Sequence, residues 1–204
     1  MDDLKAFGAA FAVIGAGLFA TWLLWPSVNT MRGIEDGPGP NLVIDVEGRT
    51  FGQIEIDLFQ DRAPLHVERL VTLAREGAYD GVVFHRVIPG FMAQTGDVEF
   101  GRRALEDLSQ AGMGGSDLPD LPAEFSDIRF ERGIVGMARG ALPDTANSQF
   151  FIMLEPAAHL DGSYTAVGRV IIGMDVVDAI KRGDPAANGV VEDPDYMVRV
   201  TVRR

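Results

Sequence analysis

Cysteine is absent from the 204-residue chain, which excludes a disulfide framework, a thiol nucleophile and cysteine-ligated zinc or iron–sulfur centres. Lysine is nearly absent too: Lys5 and Lys181 stand alone, and the remaining cations are arginines. Positive charge is scarce overall. Lys and Arg total 18 against 30 Asp and Glu, a net charge of −12. That deficit excludes nucleic acid as a main partner, because a phosphate-binding surface needs a basic excess. The histidines His66, His85 and His159 are not at metal-ligand spacing. There is no G-x-S-x-G elbow, no phosphate loop and no carboxylate pair backed by a base. No metal and no cofactor are expected.

What is present is a chain of 47% apolar and 24% charged residues, the composition of a folded protein. Residues 6–25 (AFGAAFAVIGAGLFATWLLW) carry no charge. As a helix they would span about 30 Å, the thickness of a bilayer core. Trp22 and Trp25 stand at the end of this run, as in an interfacial aromatic belt, and Pro26 stops it. The run predicts an N-terminal membrane anchor, or an uncleaved signal, over residues 1–25. A cleaved signal peptide is the rival, disfavoured by the length of the run and by the lack of a small-x-small site after it. Gly15-Ala16-Gly17-Leu18-Phe19-Ala20 matches a dinucleotide fingerprint in letters only, since no strand precedes it and Pro26 ends the unit. Residues 26–40 are rich in proline and glycine and predict a flexible tether. A folded domain over 41–204 follows.

Alternation with period two predicts strands over 41–46 and 52–59. Ala63-Pro64 opens a helix that carries Leu65, Leu70, Leu73 and Ala74 and ends at Gly77. Further strands are predicted over 82–88, 134–138, 149–154, 166–172 and 197–202, with a short second helix over 174–181. Residues 98–123 form a long loop of Gly, Pro, Leu and Asp, long enough to be functional or peculiar to a subfamily. Many short strands with only two helices point to an antiparallel barrel.

One block carries the functional signal. Residues 84–97 read Phe-His-Arg-Val-Ile-Pro-Gly-Phe-Met-Ala-Gln-Thr-Gly-Asp. With Gly133-Ile134-Val135-Gly136-Met137-Ala138-Arg139, Asn147-Ser148-Gln149-Phe150-Phe151-Ile152, Leu160-Asp161-Gly162 and Val167-Gly168-Arg169-Val170, it resembles the cyclophilin family of peptidyl-prolyl cis-trans isomerases. The resemblance covers about 41–204. It implies a mainly β fold, an eight-stranded antiparallel barrel capped by two helices. It also implies proline-containing polypeptides as substrates. Residue by residue, it implies catalytic roles for Arg86 and Gln94. Phe91, Met92, Phe151 and Leu160 match the proline pocket, and Ala138, Arg139 and Gln149 match an extended groove. His159 stands where well-known members have tryptophan, and Tyr164 where they have histidine; both are expected to face substrate. The lost tryptophan implies weak cyclosporin binding.

The chemistry follows from the amide. An Xaa-Pro bond rotates over roughly 18–20 kcal/mol, and no covalent bond need break. As resonance is lost, the proline nitrogen regains a lone pair, and a donor aimed there binds the twisted state selectively. Arg86, permanently charged and forked, is the natural donor. A rate gain of about 10⁴–10⁵ needs roughly 5.5–7 kcal/mol. One charged hydrogen bond supplies about 1.5–3 kcal/mol, so an apolar pocket must contribute the remainder. The expectation is a membrane-tethered isomerase assisting protein folding. It would sit in a bacterial inner membrane with its domain in the periplasm, the cytoplasmic face being the alternative. The rival functions are a non-catalytic proline-segment binder and an assembly module in a membrane complex.

Overall fold

The computed structural model describes residues 36–204. The predicted anchor, and all but the last five residues of the predicted tether, lie outside them. Among the described residues, no helix is long and apolar enough to cross a membrane.

Eight antiparallel strands form one sheet in the order β3-β4-β6-β5-β7-β2-β1-β8. β1 (Asn41–Glu47) and β2 (Gly52–Leu58) make a hairpin in which Leu42 pairs with Ile56 and Ile44 with Ile54. Their apolar residues alternate inward, as the period-two pattern requires. α1 (Pro64–Arg75) begins on a proline and stops before Gly77, whose φ of 68° is left-handed. β3 (Arg86–Ile88) and β4 (Met92–Thr95) form a short hairpin. β5 (Ile134–Met137), β6 (Phe150–Met153) and β7 (Ala166–Ile172) complete the middle of the sheet. α2 (Met174–Ala179) leads towards β8 (Tyr196–Arg203), which returns to lie beside β1.

The sheet curls but does not close into the barrel that the resemblance implies. Only Arg86–Ile88 of the predicted strand 82–88 joins a ladder. The preceding residues reach β8 through one bridge, Val83 to Tyr196, with Phe84 N–H donating to the Asp195 carbonyl. Three paired residues are too few to seal that edge, so the eight strands make a half-barrel. β4 was not among the sequence-predicted strands. Residues 98–123 hold no strand or helix, as expected, but are bound to the body by the bridges Val82–Arg102 and Leu121–Ala146.

Both faces of the β4-β6-β5 region are buried. Ala93, Phe150, Ile152, Val135 and Met137 join the main core with α1. Met92, Phe151, Met153 and Ile134 point the other way into a second apolar cluster with Phe130 and Leu160. That doubly covered region explains why β5 and β6 read as unbroken apolar runs.

Candidate active site

The second cluster is the floor of the site, and strand register builds it. Arg86 on β3 pairs with Gln94 on β4, Gln94 pairs with Phe151 on β6, and Phe151 pairs with Gly136 on β5. The four therefore form one row across four strands on a single face. Glycine at the end of that row is a steric requirement. A Cβ on Gly136 would stand 2.5 Å from Cζ of Phe151 and 2.6 Å from Cε1 of Phe130, so the Phe151 ring lies flat across bare backbone.

Above this row opens a cleft of about 500 Å³, lined by ten of the eleven sequence-predicted residues: Arg86, Phe91, Met92, Gln94, Ala138, Arg139, Phe151, His159, Leu160 and Tyr164. Met92, Phe151 and Leu160 are buried and apolar. Phe130 stacks on Phe151 at 5.9 Å, and Tyr164 meets Phe151 edge-on at 5.9 Å. His159, exposed at the rim, lies tilted against Phe91 at 5.6 Å.

The polar side of the cleft is one connected chain of bonds. Arg86 Nη1 donates to Gln94 Oε1 (3.0 Å), Gln94 Nε2 donates to Gln149 Oε1 (2.9 Å), and Gln149 Nε2 donates to the carbonyls of Gly112 (3.0 Å) and Gly114 (2.8 Å). Partial burial lowers the guanidinium's pKa from its usual value, and Tyr164 opposes that shift. An arginine retains its charge under such a shift.

Two of the residues matched to the extended groove are bonded within the protein. Gln149 lies in an adjoining cleft of about 410 Å³, where its amide tethers Gln94 and the glycine loop. Arg139 turns its guanidinium to backbone carbonyls, those of Gly140, Ala141 and Ser163, and lies 4.4 Å over the Tyr164 ring. It braces the wall that Tyr164 makes.

The adjoining cleft is built from the long loop. Asp97, fully buried, accepts from the backbone N–H of Glu99, Phe100, Gly112 and Gly114. Asn147 accepts from Ser116 N–H and Oγ and donates to the Leu118 carbonyl and to Asp120. His85 packs beneath the same loop, so close to Gly112 that a Cβ there would stand 2.9 Å from its ring.

Three participants escaped the sequence reading. Asp97 ends the 84–97 block without announcing its four bonds, and Asn147 begins another block in the same way. The third, Asn188, lines the cleft and accepts from Arg86 twice: Nε to its carbonyl and Nη2 to its Oδ1, both at 3.0 Å. The only signal for it was the turn-forming pair Asn188-Gly189.

Known proteins agree with this architecture. Residues 43–202 match the family described as cyclophilin type peptidyl-prolyl cis-trans isomerase/CLD. A probable peptidyl-prolyl cis-trans isomerase of Brucella suis is 55% identical over 152 residues, covering 74% of this chain and 78% of that protein. The crystal structure of a cyclophilin from Hirschia baltica superposes with a TM-score of 0.65 at 24% identity, over 79% of this chain and 73% of its own. A cyclophilin-type isomerase of Cryptosporidium parvum, crystallised in the presence of the dipeptide Ala-Pro, gives 0.67 at 23% identity, over 80% of this chain and 99% of its own. The last two establish the fold; the family match and the Brucella relative establish that this chain is an isomerase belonging to the cyclophilin-type peptidyl-prolyl cis-trans isomerases.

Proposed function

We propose that this isomerase turns Xaa-Pro bonds without covalent chemistry, with Arg86 donating to the proline nitrogen as the amide twists. The proline ring sits on Phe91, Met92, Phe151 and Leu160, with Tyr164 as a side wall and His159 at the rim. Gln94 holds Arg86 and turns it towards the reacting amide. The observation that carries this reading is the juxtaposition in one cleft of a fixed guanidinium and a buried apolar floor. A cation beside a low-dielectric floor acts more strongly on a developing lone pair than it would in water. A proline side chain also fills an apolar slot without polar atoms to satisfy. The Ala-Pro dipeptide used with the Cryptosporidium protein is the substrate fragment that such a slot would take.

The test is cis/trans exchange of an Xaa-Pro peptide with the wild-type chain and Arg86→Ala side by side. Removing one charged hydrogen bond from the transition state is expected to cut kcat/KM by roughly 10- to 100-fold. Exchange that continues undiminished would assign the electrostatic role to another group.

The proposal extends to place. The uncharged run 6–25 tethers the enzyme to a bacterial inner membrane, with residues 41–204 on the periplasmic side, where they assist folding. Carbonate-resistant membrane association and digestion of the domain by protease added to spheroplasts are the expected results. A protected domain would put it on the cytoplasmic face.

A further inference from the structure

We propose that Asn188 is the positioning residue that sets the aim of the Arg86 guanidinium. The proposal rests on the reading of Arg86 as the donor to the proline nitrogen.

An arginine side chain has enough rotamer freedom to point in many directions, and a donor misaimed by an ångström loses most of its catalytic value. Something must therefore hold it. Of the five N–H groups of a guanidinium, three are bonded here: Nη1 to Gln94 Oε1, Nε to the Asn188 carbonyl and Nη2 to Asn188 Oδ1. One residue thus grips the whole Nε/Nη2 edge with two oxygens, the forked geometry that a carboxylate usually supplies. The remaining N–H groups, on the two terminal nitrogens, are left for a ligand. The fork is neutral. It fixes direction without placing a compensating negative charge against the cation, so the field of the guanidinium remains available to the substrate.

The backbone makes this grip possible. Asn188 is left-handed (φ 55°, ψ 30°), closing the 3-10 turn Pro185–Ala187, and asparagine is among the few side chains that adopt that region readily. The turn is fastened to the strand that carries Arg86. Val87 N–H donates to the Gly189 carbonyl (2.8 Å), and Gly183 N–H donates to the Val87 carbonyl (2.9 Å). Gly189 lies so close to β3 that a Cβ would stand 2.5 Å from Ile88 Cγ1. Clamp and arginine therefore share one rigid reference.

Asn188→Gly tests this, because glycine keeps the left-handed backbone and the carbonyl and removes the side chain with its Oδ1. The full-length protein is assayed for kcat and KM on an Xaa-Pro peptide, and solvent exchange of the Arg86 Nη2 protons, which Oδ1 holds, is followed by NMR. The expected result is a fall in kcat of about tenfold with KM changed less than about twofold, together with faster exchange of the Nη2 protons. Asn188→Asp, which keeps both the backbone conformation and an oxygen at the fork, is expected to restore slow exchange. It should recover kcat only in part, since its charge competes with the substrate for the cation. Wild-type kcat with slow exchange in the glycine variant would overturn the proposal. Should that variant not fold, fast exchange in the aspartate variant would overturn it equally. Arg86→Ala is run alongside: if it retains full activity, the catalytic reading of Arg86 is what has failed. If it is inactive while Asn188→Gly behaves as wild type, only the clamp has failed.

Discussion

His85 and Arg86 are neighbours in the chain with opposite fates, because successive strand residues point to opposite faces. Arg86 turns to the cleft; His85 turns under the glycine loop and is buried. Burial lowers the His85 pKa to about 4, against an opposing pull from the Asp97 carboxylate. The unfolded chain binds the proton near its ordinary 6.5 and the folded chain resists it until about 4. The stability this histidine contributes is therefore complete above that ordinary value and drains away as pH falls towards 4. Between pH 7.5 and 5 the loss is about 2 kcal/mol, an order-of-magnitude figure from linkage. In urea titrations at those two pH values, His85→Gln is expected to lose correspondingly less stability than the wild type, and parallel losses would count against a buried neutral histidine. Much of the cleft was legible at this scale because Arg86, Phe91, Met92 and Gln94 lie in one contiguous block. Asn188 was not: it meets Arg86 across 102 positions, and a polar side chain in a turn carries no periodic signal of what it will touch.

At the scale of elements, α1 shows how a loop can complete a helix. Its N-cap, Ala63, has no side chain able to bond the first turn. Glu124, at the end of the long loop, supplies the missing acceptor. It receives Leu65 N–H at 3.1 Å, His66 N–H at 3.0 Å and the His66 ring at 2.6 Å. Glu124→Ala would orphan two backbone donors and a fully buried imidazole, and is expected to cost about 1–3 kcal/mol in urea unfolding. A change within a few tenths of a kcal/mol would mean that water replaces the cap. Gly136 sets a second limit. Gly136→Ala would drive a methyl into Phe151, and is expected to raise KM for Xaa-Pro peptides and to cost about 1–3 kcal/mol of stability through overpacking. Unchanged KM would show that the ring can move aside. The hairpin, α1 and β7 were readable because their patterns are long and regular. β4 escaped because Met-Ala-Gln-Thr is short and contains a single β-branched residue. Residues 82–85 over-read as ladder because β-branched residues also serve a buried segment that crosses an open edge.

For the molecule as a whole, the resemblance led to an expectation of eight strands closed into a barrel; the strands are present but the closure is not, since closure depends on how β3 and β8 meet and neither strand's pattern reports on the other. The amino-terminal edge is also more than a tether. Asp36 accepts from Asn41, and the Pro40 carbonyl accepts from Leu58 N–H at 3.1 Å. A chain beginning at residue 36 is therefore expected to be more stable than one beginning at 41 by about 1–2 kcal/mol, the worth of those bonds. Equal melting in urea would make residues 36–40 dispensable. The row Arg86–Gln94–Phe151–Gly136 and its clamp at Asn188 carry a consequence for biosynthesis. Arg86 and Gln94 share one block, but Gly136, Phe151 and Asn188 come from later segments, and Asn188 follows Arg86 by 102 positions. A nascent chain emerging amino terminus first holds no assembled cleft until residue 188 has been made, so it cannot isomerise in cis the prolines that precede it. Only a finished copy can act on an unfinished one. Refolding should therefore be autocatalytic, speeding up as native protein accumulates.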